Sequence, residues 1–581
     1  MGSVGESNPG DYSVPKEAQK LFVKEILNNP LVPTLPWEIK AAGKHISFAG
    51  NDLPSLPINW RFAESAAALK AFEASMLNVL RKRKYASPMS EAEINTDHAS
   101  LFVMSPFLLQ VVNPETGGEA QDVNVFAPGR MEELGFPNTD LHRAGSTPQR
   151  ALATNIYQTK DGRFYHLHGS MDPEPTLTAL GMETDGPGDE DRMTVTKRFE
   201  DVVAKIDSQE LDSLMNDRYR QAGTICYSAE EYRQSEHGQA NAHVGLYELS
   251  RSETHTQPAA WWPENASMPS SPQRPLAGLK VVDLTRVIAS PAIGRSLAEM
   301  GASVMRVTSS QITDMSILHQ DLNWGKWNCS LHLKHEPDRR KLIALIQEAD
   351  VVIEGYRPGV MAKYGLARED IFELVRERGR GIVHVKENCY GWHGPWAGRS
   401  GWQQISDANC GVSWAYGRAM GNDEAVTPVF PNSDYCTGIV GSVATLHALV
   451  KRAEQGGCYG VDVSLNYYSQ WLVNSVGEYP PDVWNALWAR CGNPAFRHYH
   501  NMGYLLPAML GLLRTHAPNA LFKPDFFQPR FSKAVGCEFV SVKPIARFKD
   551  EEVRLGYHVG TRGNGKDAPY WPEDLSVEVV V

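Results

Sequence analysis

Strands and helices alternate through residues 275–390 at a spacing that few architectures satisfy. Apolar runs at 279–284, 303–307, 328–333, 351–354 and 381–386 each read as a short buried strand. Between them, residues 291–300, 337–349 and 368–378 carry helical periodicity. This alternation calls for right-handed βαβ crossovers and a parallel sheet wound on both faces. Ligands of such sheets sit beyond the carboxyl ends of the strands. The loops at 285–290, 308–311, 355–359 and 387–394 are therefore where function is expected. No Gly-x-Gly-x-x-Gly follows Leu284, which argues against a dinucleotide site.

The remaining residues divide around this core. A chain of 581 residues is too long for one ordinary core. Residues 1–14 are polar and read as a disordered leader with no signal-peptide core. Residues 15–30 and 60–84 read as helices, the second closing on Arg81-Lys82-Arg83-Lys84 as a solvated helix end. The stretch 1–150 is expected to be mainly helical, the remnant of a tandem copy. Residues 151–250 read as a small α+β domain. A hairpin at 155–158 and 164–168 turns at Lys160-Asp161-Gly162-Arg163, and helices near 195–206, 209–221 and 228–236 follow. Residues 251–274 are a Thr-, Pro- and Ser-rich linker, 275–475 the parallel-sheet domain, and 476–581 a C-terminal region packing on it.

Charge and cysteine usage exclude several classes. The net charge is −11 with no basic block, so no nucleic-acid partner is expected. No apolar stretch approaches the roughly 20 residues of a membrane span. Eight scattered cysteines include no Cys-x-x-Cys pair, which fits reduced thiols and a cytoplasmic setting, with an organelle left open. His166/His168 and His498/His500 lack a further ligand at metal spacing, so no metal is expected.

Pro431-Asn432-Ser433-Asp434-Tyr435-Cys436-Thr437-Gly438 puts Asp434 in a turn ahead of an apolar helical run at 439–450. Asp434 reads locally as a helix cap worth about 1 kcal/mol. The functional alternative is a carboxylate nucleophile kept ionised by helix N-terminal N–H groups.

The upstream motifs favour the second. Pro275-Leu276-Ala277-Gly278-Leu279-Lys280-Val281-Val282-Asp283-Leu284-Thr285-Arg286-Val287 resembles the opening of family III CoA-transferases, the CaiB/BaiF group. Leu297-Ala298-Glu299-Met300-Gly301-Ala302, Asn323-Trp324-Gly325-Lys326, Glu354-Gly355-Tyr356-Arg357-Pro358-Gly359 and Val461-Asp462-Val463-Ser464 are similar to further motifs of that family, in its order. The resemblance spans roughly 275–475 and implies a Rossmann-like doubly wound sheet with a smaller α+β domain. That small domain follows the catalytic Asp in the family, whereas here 151–250 precedes it. The resemblance also implies that Asp434 attacks an acyl-CoA thioester and that a carboxylic acid exchanges in. Arg286, Val287, Tyr356, Arg357, Lys363 and Arg399 are then the expected CoA contacts. CoA and acyl-CoA would be substrates with no resident cofactor, in an interlocked homodimer.

Three departures bear on chemistry. Ile288 stands where formyl-CoA transferases carry a Gln. Gly401-Trp402-Gln403-Gln404 replaces the Gly-His-Asp of the α-methylacyl-CoA racemases, and Thr308-Ser309 replaces an acidic and basic pair. An epimerase of racemase type and a catalytically impaired CoA-binding homologue are the alternatives.

Overall fold

The computed structural model describes residues 12–112 and 118–581. Most of the leader expected at 1–14 lies outside the described residues. Strands β1 (Ile46–Ala49), β2 (Ala92–Asn95), β3 (Gln110–Val112) and β4 (Ala120–Asp122) come first. The hairpin β5 (Asn155–Gln158) and β6 (Phe164–His168) follows, and β7 (Ala222–Ile225) adds antiparallel to β6. Then come β8 (Glu248–Arg251), β9 (Lys280–Leu284), β10 (Ser303–Thr308), β11 (Lys326–Ser330), β12 (Val351–Glu354), β13 (Val383–Asn388) and β14 (Tyr459–Ser464). Strands β15 (Phe527–Ser532), β16 (Cys537–Val542) and β17 (Ala546–Phe548) complete the order.

The large sheet runs β11-β10-β9-β12-β13-β14-β8. Strands β9 to β14 pair in parallel, and β8 closes the edge antiparallel to β14. Val281, Val282, Val351, Val352, Ile353, Val383 and Val385 are all buried, as a sheet covered on both faces requires. Strand order reverses between β9 and β12, so the loops leaving these two strands part to either side and open a crevice.

The terminal regions differ from the expectation of separate blocks. β17 pairs with β2 and β16 with β3, so residues 1–150 and 476–581 share two sheets. The first region is therefore not simply helical. β8 belongs to the large sheet, so the chain leaves the small module before the linker begins. In the C-terminal tail, Thr561, Arg562 and Gly563 are buried. Asn564 Oδ1 accepts from Arg306 Nη1 at 3.0 Å, and Arg306 Nη2 in turn donates to the Thr285 carbonyl at 3.2 Å.

Helices α2 (Ala289–Glu299) and α4 (Asn432–Gln455) reach the crevice, while α1 (Phe62–Tyr85) and α3 (Gln403–Asn409) pack against α4. Arg81 of α1 is buried and donates to Ser90 Oγ at 2.6 Å, so the basic run is not a wholly solvated helix end. The Asp434 segment is already helix, not turn. α4 packs against both α1 and α2, and glycine makes the second contact close. A Cβ on Gly438 would stand 2.5 Å from Ala292 Cβ, and one on Gly441 2.4 Å from Ile293 Cδ1. Gly438→Val is expected to destabilise the protein by about 1–3 kcal/mol through overpacking. Thermal unfolding reads this directly, and an unchanged Tm would refute the close-packing role. No helix of the described residues is long and apolar enough to cross a membrane.

Candidate active site

A cleft of about 510 Å³ opens at the strand-order reversal. The loops after β9 and β12 form two walls, through Arg286 to Ala289 and Gly355 to Pro358. Glu387, Asn388 and Cys389 at the end of β13, Trp402, and Asp434 form the interior. Met171, Tyr219 and Arg220 of the small α+β module close the remaining side.

Asp434 is the third residue of α4 and makes no capping hydrogen bond. Its neighbours bolt that turn to the core. The Tyr435 hydroxyl donates to Asp321 Oδ2 at 2.8 Å, and Arg295 of α2 pairs with the same carboxylate. The Asn432 amide donates to the Tyr468 hydroxyl, which lies 2.8 Å from Ser65 Oγ of α1. Asp434 is thus presented to the cleft by a rigid helix start.

The electrostatics reverse the sequence expectation. At Asp434 burial outweighs the helix N-terminus. Burial, then Glu387, then Asp407 push its pKa well above the carboxylate range. Burial raises Glu387 to about 7, opposed by a hydrogen bond from Ser290. Burial raises Asp407 of α3 to about 8, opposed by the Gln403 amide. Three carboxyls from β13, α3 and α4 therefore converge, with Cys389 among them. Sequence reasoning missed Glu387 and Asp407. Only Glu387 left a signal, an acidic residue at the carboxyl end of a parallel strand.

Backbone strain marks both sides of the site. Val287 has φ +71° and Phe430, just before α4, has φ +73°. Positive φ in a β-branched residue is a genuine outlier, held only by its surroundings. Beneath Val287, the buried Lys326 Nζ lies 2.7 Å from both Asp283 Oδ2 and the Pro291 carbonyl. The lysine of the Asn-x-Gly-Lys motif thus ties β9, β11 and the start of α2 together. Lys326→Met would strand a buried Asp283 and is expected to cost about 3–5 kcal/mol. A denaturant titration with no loss of midpoint would contradict that role.

Among the expected CoA contacts, Arg286, Val287, Tyr356, Arg357 and Arg399 reach the cleft and Lys363 does not. Lys363 is exposed on a short helical turn, Met361–Tyr364. Arg399 is already paired, with Nη2 2.9 Å from Asp212 Oδ2, which removes it as a free phosphate partner. Arg220, absent from the sequence expectation, joins Arg286 and Arg357. Desolvation in the cleft and the charges of Arg286 and Arg220 lower the Arg357 pKa. None of these three guanidiniums has a carboxylate partner within ion-pair distance among the described residues; Arg286 Nη1 donates instead to the Thr313 carbonyl at 2.8 Å. Such a cluster suits a polyanionic ligand.

The histidine pairs do other work. His168 is buried, stacks on Trp402 with ring centroids 5.4 Å apart, and lies 3.1 Å from Gln404 Oε1. His498 Nδ1 sits 2.6 Å from Glu424. Away from the cleft, His243, Glu248 and His393 bring one ligand atom each within 4.8 Å of one another, a set able to hold a zinc-like ion.

The sequence model described as CoA-transferase family III matches residues 276–485. The chain is 58% identical over 570 residues to an acetyl-coenzyme A transferase, nodX, of Hypoxylon pulicicidum, covering 98% of this chain and 95% of that relative. It is 32% identical over 519 residues to an acyl-CoA transferase of Gibberella moniliformis, covering 87% of each. The crystal structure of a hypothetical protein, Rv3272, from Mycobacterium tuberculosis aligns at 28% identity and a TM-score of 0.30, over 38% of this chain and 58% of that one. This chain belongs to CoA-transferase family III and is a CoA-transferase.

Proposed function

We propose that the enzyme takes CoA from an acyl-CoA and gives it to a carboxylic acid through an acyl adduct on Asp434. The observation that carries this reading is the division of one cleft between a carboxylate and a cationic cluster. Arg286, Arg357 and Arg220 line the same cleft as Asp434 and suit the phosphates of CoA. Binding energy from that remote end can hold the thioester against Asp434. In its ionised form Asp434 attacks the thioester carbonyl, and the sulfur leaves as thiolate. Covalent capture splits one difficult exchange into easier steps. That ionisation is easiest while Glu387 and Asp407 are protonated, since the charges of both oppose it. Acetyl-CoA is the donor to try first, because the relative at 58% identity is named an acetyl-CoA transferase.

The test is incubation with acetyl-CoA followed by hydroxylamine and peptide mass spectrometry. A hydroxamate on Asp434 is the expected product. Deuterium uptake at the acyl α-carbon without any adduct would support the epimerase reading instead. Binding of CoA with neither event would leave only a CoA-binding protein.

A further inference from the structure

A carboxylate attacking a thioester creates an oxyanion, and the cleft must offer it a hydrogen-bond donor. Ile288, which lines the cleft after β9, has no donor in its side chain. Glu387 lines the same cleft from the end of β13. The Ser290 hydroxyl, in the first turn of α2, donates to Glu387 Oε2 at 2.8 Å. The other oxygen, Oε1, has no protein partner among the described residues. Gly355 makes room for this pair, since a Cβ there would stand 2.3 Å from Ser290 Oγ. No lysine or arginine forms an ion pair with Glu387 among the described residues. We propose that Glu387, held by Ser290, remains a neutral acid and donates an O–H hydrogen bond to the thioester carbonyl oxygen while Asp434 attacks.

This inference rests on the Asp434 reading. The step balances without a net proton transfer. A lone pair of the Asp434 carboxylate forms the C–O bond, and the carbonyl π pair moves to oxygen, where the Glu387 O–H meets it. The pair then returns, the C–S bond breaks, and sulfur leaves with the bonding electrons as thiolate. Glu387 keeps its proton, and the negative charge passes from Asp434 to sulfur. An ionised Glu387 would instead repel both the nucleophile and the oxyanion. The chemistry matches other sites that keep a carboxylic acid neutral in order to use it as a donor.

The titratable groups around Glu387 are Asp434 from α4, Asp407 from α3 and Cys389 two residues beyond it, with the cations Arg286, Arg357 and Arg220 on the other cleft walls. Burial, not these neighbours, favours its neutral form. Burial holds Glu387 near 7, well above an ordinary glutamate. Ser290 acts here as a positioning residue.

The measurement is the single-turnover rate of adduct formation on Asp434 from acetyl-CoA, followed by quench and intact mass, across pH 6 to 9 in round values bracketing the Glu387 pKa of about 7. Glu387→Ala is expected to slow the step by about 10²–10³-fold, the usual loss for an oxyanion donor. Glu387→Gln keeps an N–H donor and the contact with Ser290, so it should lose only about tenfold. Because the attack needs Asp434 ionised and Glu387 protonated, the wild-type rate should pass through a maximum with pH, and the Gln variant should keep the rise and lack the alkaline fall. Equal rates in all three proteins, or Glu387→Gln as slow as Glu387→Ala, or the same alkaline fall in the Gln variant, would overturn the role of Glu387 alone. Transfer that proceeds in wild type with no adduct on Asp434 would overturn the Asp434 reading together with it.

Discussion

Asp434→Ala should abolish CoA transfer, with a loss of about 10³-fold or more, because it removes the proposed covalent carrier. Asp434→Asn tests the same point with the shape of the side chain retained. The substitution has a second, opposite consequence. Burial and two neighbouring carboxyls raise the folded-state pKa of Asp434 above its unfolded value. Between those values the native state binds more protons than the unfolded state, so this group makes stability fall as pH rises. Asn carries no such penalty. Asp434→Asn should therefore unfold at a higher temperature than wild type at pH 8, with the gap closing toward acid pH. Loss of function with gain of stability is what a site held in an unfavourable charge state predicts. A variant that still transfers CoA, or that loses stability at alkaline pH, would refute the assignment.

Arg286→Ala and Arg357→Ala should each raise the Kd for acyl-CoA by about 10–100-fold, the equivalent of about 1.5–3 kcal/mol for a hydrogen bond to a charged group. Saturating kcat should change far less, because the phosphates bind equally in ground and transition state. Raising the salt concentration should weaken wild-type binding and have less effect on the double variant. Arg286→Lys and Arg357→Lys should recover only part of the affinity, since lysine cannot reproduce a bidentate fork. Arg399→Ala is a contrasting case. Its partner Asp212 would be left half-buried without a cation, so the loss should appear in Tm before it appears in CoA binding. An unchanged acyl-CoA affinity in both Arg286→Ala and Arg357→Ala would remove the cationic cluster from the binding model.

Much of the framework was legible because its signals are local. The valine-rich strands and intervening helices of 279–386 follow from side-chain periodicity, and the hairpin at β5 and β6 from its Lys-Asp-Gly-Arg turn. The crevice loops after β9 and β12 follow from strand order. The errors arise where distant segments meet. Arg81 reads as surface charge in its own helix, but Ser90 and the Pro272 carbonyl cover it. Arg399 reads as a phosphate ligand until Asp212, far upstream, claims it. Arg220 carries no motif at all and reaches the cleft only because the small module packs there.

By itself the sequence determined the parallel sheet and pointed to its carboxyl edge and to Asp434 as the candidate nucleophile, because each is written in short-range pattern and motif. Only the tertiary structure decided the protonation chemistry around Asp434. The pKa of a carboxyl depends on burial and on which charges lie within a few ångströms. Glu387, Asp407 and Asp434 belong to a strand and two helices that nothing in local sequence brings together. Their convergence turns a residue that reads as an ionised helix-start aspartate into one of three buried carboxyls with raised pKa values.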